Sequence, residues 1–127
     1  MAELLRASEW RELDLDRGTY FIARDGTVAG LVQMVDVAPQ TIVVAGVIVD
    51  SARRGEGIGR QLMQASMNAK GGTLYLCCHP ERLDFYDHFG FTDVPFESLP
   101  EPVAEYFREV GDYPAPPGHE HHYLKAR

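Results

Sequence analysis

Between Val47 and Arg60 an apolar run gives way to a turn holding Gly55, Gly57 and Gly59, after which a helical pattern starts. The first N–H groups of a helix have no intrahelical partner and sit at the positive end of its dipole, so such a turn is suited to an anion such as phosphate. Glycines let backbone approach the anion closely and reach positive φ. Arg53, Arg54 and Arg60 add charge. Two common phosphate motifs do not match. A nucleotide P-loop ends Gly-Lys-Ser/Thr, whereas this turn ends Gly59-Arg60-Gln61. The dinucleotide fingerprint needs a third glycine where Arg60 stands. On its own, a glycine-rich turn before a helix is an ordinary connection.

The second chemical candidate is Tyr86, within Leu83-Asp84-Phe85-Tyr86-Asp87-His88-Phe89-Gly90-Phe91. Aromatic residues at helical spacing are usually core, and Leu83, Tyr86 and Phe89 fit that reading. A phenol is also a proton donor near neutral pH, with an ordinary pKa of about 10. Asp36 and His79 are the candidate proton acceptors; the first reads equally as an exposed strand-end residue, the second as a helix cap. His119 and His121 fall on one face of an extended segment and could pair on a metal. A third ligand at fixed spacing is missing, so no metal is expected and a solvated terminal segment is the reading adopted. Cys77 and Cys78 are adjacent, which strains a disulfide, and lie in an apolar run. Buried thiols in a reducing cytoplasm follow, with Cys77–His79 as a paper alternative for nucleophilic chemistry.

These residues need elements to hold them. A short helix is expected over residues 2–12, with Leu4, Leu5 and Ala7 inward. Residues 19–23 read as a strand, and Asp25-Gly26 is a hairpin signal leading to a second strand over 27–37. Residues 41–49 are apolar almost throughout, as in a strand buried on both faces. Ile58, Leu62, Ala65 and Ala69 form a helical stripe, closed by Gly71-Gly72. A buried strand over 73–78 follows, then a helix opened by Pro80 and closed by Gly90. Residues 91–96 read as a short strand and 99–110 as a helix. A proline-rich loop over 113–118 leads to a last, edge strand over 121–125. Three strands in a meander followed by alternating helices and strands make a mixed sheet with helices packed on it, not a doubly wound fold.

The chain has 127 residues, which fits one domain over 1–127. A net charge of −7 without a basic run excludes nucleic acid and anionic membrane as main partners. An acidic surface suits a cationic substrate. Residues 1–10 carry Glu3, Arg6 and Glu9, unlike a secretory leader, and no segment is long and apolar enough to span a bilayer. A cytoplasmic protein is expected, with a homodimer left open.

The string Arg54-x-x-Gly57-x-Gly59 after a Val-x-Val strand end resembles the acetyl-CoA signature of the GNAT N-acetyltransferase superfamily. The string Phe85-Tyr86-x-x-x-Gly90-Phe91, about thirty residues on, looks like the helix that follows the cofactor cleft there. The likeness runs from about Tyr20 to Phe91 and returns weakly at the C-terminus. It implies an α/β (α+β) GNAT fold: a mixed, mostly antiparallel twisted sheet flanked by helices, splayed centrally to admit CoA. It implies main-chain contacts from Val47, Ile48 and Val49 to the pantetheine arm. It implies a pyrophosphate cradle from Arg54, Gly55, Glu56, Gly57, Ile58 and Gly59, with Arg60 adding charge. Tyr86 would be the general acid on the CoA sulfur. Two departures stand out: Ser51 where proline is frequent, and His79 where an asparagine often meets the cofactor arm. The family's usual first strand precedes its first helices; here that strand is absent or supplied in part by residues 12–16. The implied reaction is transfer of acetyl from acetyl-CoA to a primary amine of a small molecule by direct attack, without a metal. A glutamate base is missing between Thr27 and Ala52, which leaves Asp36 and His79. The competing readings are a non-catalytic acetyl-CoA sensor and, more poorly, a nucleotide-binding module.

Overall fold

A computed structural model describes residues 10–15, 18–25, 27–49 and 57–127. The elements are β1 (Trp10–Leu15), β2 (Gly18–Asp25), β3 (Thr27–Ala38), β4 (Thr41–Val49), α1 (Ile58–Ala69), β5 (Thr73–Cys78), α2 (Leu83–Asp87), β6 (Thr92–Val94), α3 (Glu101–Val110) and β7 (His122–Ala126). Single 3₁₀ turns over Pro80–Arg82 and Phe96–Ser98 precede α2 and α3. The strands hydrogen-bond in the order β1-β2-β3-β4-β5-β7-β6. The β4–β5 pair is parallel, while β1–β2, β2–β3, β5–β7 and β6–β7 are antiparallel. This is the mixed α/β architecture that the element pattern predicts. Chain contacts group into two compact units, one of residues 1–35 and 44–71, the other of 36–43 and 72–127.

In the first unit, β2 and β3 pair on either side of Gly26, with a register shift at Ala23/Arg24. Val32 and Met34 on β3 are fully buried, as is Phe21 on β2. The alternation Leu31, Val32, Gln33, Met34 is the period-2 signature of a strand with one buried face. Ile58, Leu62, Met63, Ser66 and Met67 form the buried stripe of α1. The stripe differs from the predicted one: Ala65 is only half-buried and Ala69 is exposed. The methionines offer far more apolar area than an alanine methyl, so the helix turns them inward. Ser66 is buried because its hydroxyl donates to the Leu62 carbonyl at 2.7 Å, one turn back.

Two predictions at the chain ends need correction. Residues 10–12 are not helical; they begin β1, paired from Trp10↔Ala23 to Leu15↔Gly18. Residues 1–9, the rest of the predicted helix, lie outside the described residues. Strand β7 is not at the sheet edge, since it lies between β5 and β6. Tyr123, Leu124 and Ala126 are buried in consecutive directions, which requires cover on both faces. The edge falls to β6, three residues long and mostly exposed, as suits a strand with unpaired backbone.

The second unit packs α3 on β5 and β7. Val43, Tyr75, Leu99, Val103, Ala104, Phe107 and Tyr123 make one apolar cluster, flanked by Phe96 and Tyr113, whose rings stack at 3.6 Å. The helix predicted from Pro80 to Gly90 is shorter, being one 3₁₀ turn and the five residues of α2, with Gly90 ending it at positive φ. Among the described residues no helix is long and apolar enough to cross a membrane.

Candidate active site

In the first unit, α1 opens at Gly57, which holds φ +80°. That left-handed conformation is costly for other residues, and a side chain there would meet nothing within 4 Å among the described residues. The N-terminus of α1 has no side-chain cap and no acidic residue in its first turn. Its leading N–H groups therefore face no carboxylate from that turn. Ile58 is buried and anchors the helix start, Gly59 is half-buried and Arg60 is exposed. Arg54, Gly55 and Glu56 lie outside the described residues. On β4, Val47 and Val49 are half-buried, and Ile48 between them is 61% exposed, high for so large an apolar side chain.

In the second unit, α2 turns Tyr86 inward, at 9% exposure. Its ring meets Phe85 and Phe91 edge-on, with centroids at 5.1 and 5.7 Å. The core reading of Tyr86 thus has a physical basis. Burial pushes its phenol up to about 12, nearby Cys78 adds to this, and the Arg82 guanidinium opposes it. A proton on Tyr86 is then secure throughout the neutral range. The cysteines are free, and burial pushes Cys77 to about 12 and Cys78 to about 11. Acidic neighbours contribute further, Asp112 for Cys77 and Asp93 and Glu81 for Cys78. Such thiols stay protonated at neutral pH, which removes the ground for a Cys77 nucleophile. Asp36, on β3, is exposed.

His79 is the N-cap of the 3₁₀ turn by position, but its side chain makes no capping bond. It lies instead beside His119 and His121, with ring centroids at 5.6 and 5.0 Å. No third ligand stands at a fixed sequence spacing, as expected, but the fold brings one from a distant position. No local spacing signals this group, because 40 residues separate His79 from His119. It follows from register: the β5–β7 ladder ends at Cys78↔His122, so the next residues outward are His79 and His121. His122 turns elsewhere, its Nδ1 to Asp93 at 2.7 Å and its Nε2 to Glu120.

The profile of the family described as acetyltransferase (GNAT) domain matches residues 16–93. No curated protein sequence matches the chain. Among solved structures, ElaA of Escherichia coli superposes with a TM-score of 0.62 at 20% identity, over 86% of this chain and 68% of that one. An acyl-CoA N-acyltransferase from Pseudomonas aeruginosa gives 0.60 at 22%, over 86% and 68%. N-acetylglutamate synthase from Neisseria gonorrhoeae, complexed with coenzyme A and L-arginine, gives 0.65 at 18%, over 85% of this chain and 24% of that one. At these identities the likeness is one of fold.

Proposed function

Because the chain belongs to the acetyltransferase (GNAT) domain family, we propose that it moves the acetyl group of acetyl-CoA onto a primary amine of a small molecule by direct attack. The reading takes residues 1–127 as one domain, at work in the reducing cytoplasm. Val47, Ile48 and Val49 would hold the pantetheine arm through their backbone. The segment from Arg54 through Gly57 to Arg60 would hold the pyrophosphate. The observation that carries the catalytic part is Tyr86, a buried phenol kept protonated by its surroundings on the helix after β5.

The neutral amine nitrogen attacks the thioester carbonyl, and the negative charge that builds on its oxygen meets a backbone N–H near Val49. As the C–S bond breaks, Tyr86 gives its proton to the sulfur. Such acid catalysis is typically worth about 10²–10⁴-fold. The ammonium formed on the amine must lose a proton as well. A lysine-type amine, with pKa about 10.4, is neutral roughly once in 2,500 molecules at pH 7, an α-amino group near 8 roughly one time in ten. Asp36 is the proposed acceptor, with His79 second. The exposure of Asp36 is what favours the competing sensor reading, in which acetyl-CoA binds without turnover.

Ligand-induced stabilisation tests the cofactor. A ligand at about 100 times its Kd adds about 2.7 kcal/mol to the stability of the state that binds it. Acetyl-CoA should raise the Tm, and NAD and ATP should not. Gly57→Ala should cost about 1–2 kcal/mol through its left-handed backbone yet keep part of the acetyl-CoA shift. Gly57→Glu, which adds a negative charge at the anion site, should abolish it. An equal shift with ATP would overturn the assignment.

A further inference from the structure

The nitrogen atoms that His79, His119 and His121 can offer to an ion all lie within 4.8 Å of one another. We propose that these three histidines form a binding site for a divalent transition metal, zinc by preference, that ties the loop after α3 to the outer end of β5. Imidazole nitrogen is a ligand that zinc favours, and three protein ligands plus a water is a common zinc arrangement. Zinc–nitrogen bonds of about 2.0–2.1 Å at tetrahedral angles place ligand nitrogens about 3.4 Å apart. His79 and His119 are exposed and His121 is half-buried, so small side-chain rotations close that difference without moving backbone.

A second feature prepares the site. The Nδ1 of His121 lies 2.8 Å from the backbone carbonyl of Asp112. A carbonyl only accepts, so Nδ1 carries the proton and donates. Nε2 is left with its lone pair, the form a metal requires. This outer hydrogen bond is the usual way a ligating histidine is oriented. The same carbonyl accepts from the Tyr123 hydroxyl at 2.7 Å, which fixes it in place. Tyr123 belongs to the apolar cluster under α3, so the orientation of His121 is set by the core of its unit. The loop over 113–118 contains Pro114, Pro116 and Pro117, which limits the freedom lost when His119 is held.

The test reads metal binding alone, so it stands apart from the acetyl-transfer reading, in which His79 is the second proton acceptor. The full chain without a polyhistidine tag is stripped with EDTA, desalted and titrated with Zn²⁺ by calorimetry. Co²⁺ is used in parallel for its intense visible bands in four-coordinate sites. One equivalent should bind, with a rise in Tm. His119→Ala should weaken binding at least about tenfold and remove the cobalt bands. Its ring is exposed, so the variant should fold. His121→Ala should do the same. His122→Gln and the double variant Cys77→Ser, Cys78→Ser should bind as the parent does. Absence of binding in the parent overturns the proposal. So does unchanged affinity in His119→Ala, or loss of the metal in the His122 or cysteine variants.

Discussion

Tyr86 has a packing role in the fold, and the proposed acid role would be added to it. Its ring fills an aromatic corner with Phe85 and Phe91, and burial raises the cost of ionising its hydroxyl. That makes it a weaker acid at rest, yet one whose proton is present whenever a thiolate, ordinarily near 8.5, begins to form. Its pKa of about 12 also moves any loss of activity through tyrosine ionisation well beyond the working range. His122 presents the opposite case, a charge held at the surface. Hydrogen bonds to Asp93 and then Glu120 raise its pKa above the ordinary 6.5, with partial burial acting the other way. A raised pKa means that folding favours the protonated form. The gain is complete below about pH 6.5, where the unfolded histidine is also charged, and it disappears as pH rises through the folded value. His122→Gln should therefore lower the Tm more at pH 5.5 than at pH 8.5. Equal losses at both would show that the pair contributes no charge-dependent stability. Both partners are exposed, so the effect is small and falls with added salt.

At the scale of elements, the parallel pairing of β4 with β5 begins at a turn that only glycine fits. Gly72 holds φ +101°, and a Cβ there would lie 2.7 Å from the Gln40 carbonyl oxygen and 2.9 Å from its Cα. These are backbone atoms and cannot swing away. The same carbonyl accepts from the Thr73 N–H at 2.9 Å, immediately before the ladder Thr41↔Thr73, Ile42↔Leu74, Val43↔Tyr75. Gly72→Ala should cost about 2 kcal/mol or more, read as a fall in Tm or denaturant midpoint. A near-neutral variant would mean that the turn can be rebuilt. The apolar run of β4 and the helical period of α1 were legible because each is written locally. Strand β1 was not, since its pairing with β2 is invisible in a segment that mixes leucines with charges at either period. The interior place of β7 was missed for a related reason: strand order depends on which neighbours bury Tyr123 and Leu124, not on position near the chain end. The gathering of His79 with His121 likewise needs the β5–β7 register.

For the whole molecule, the match over residues 16–93 assigns the family, and the described elements agree with the predicted mixed sheet. The first unit carries the uncapped start of α1, and the second carries Tyr86 on α2. In the proposed reaction, the acceptor amine is chosen by side chains that no local motif marks. Release of free thiol from acetyl-CoA, followed across a panel of primary amines, tests the account most directly. Interactions made only as charge develops alter kcat more than ground-state affinity. The account predicts amine-dependent thiol release by the parent chain. With the same amine, Tyr86→Phe should lower kcat at least tenfold and leave acetyl-CoA affinity nearly unchanged. Acetyl-CoA binding without thiol release for any amine, or a Tyr86→Phe variant with the parent's kcat, would contradict it.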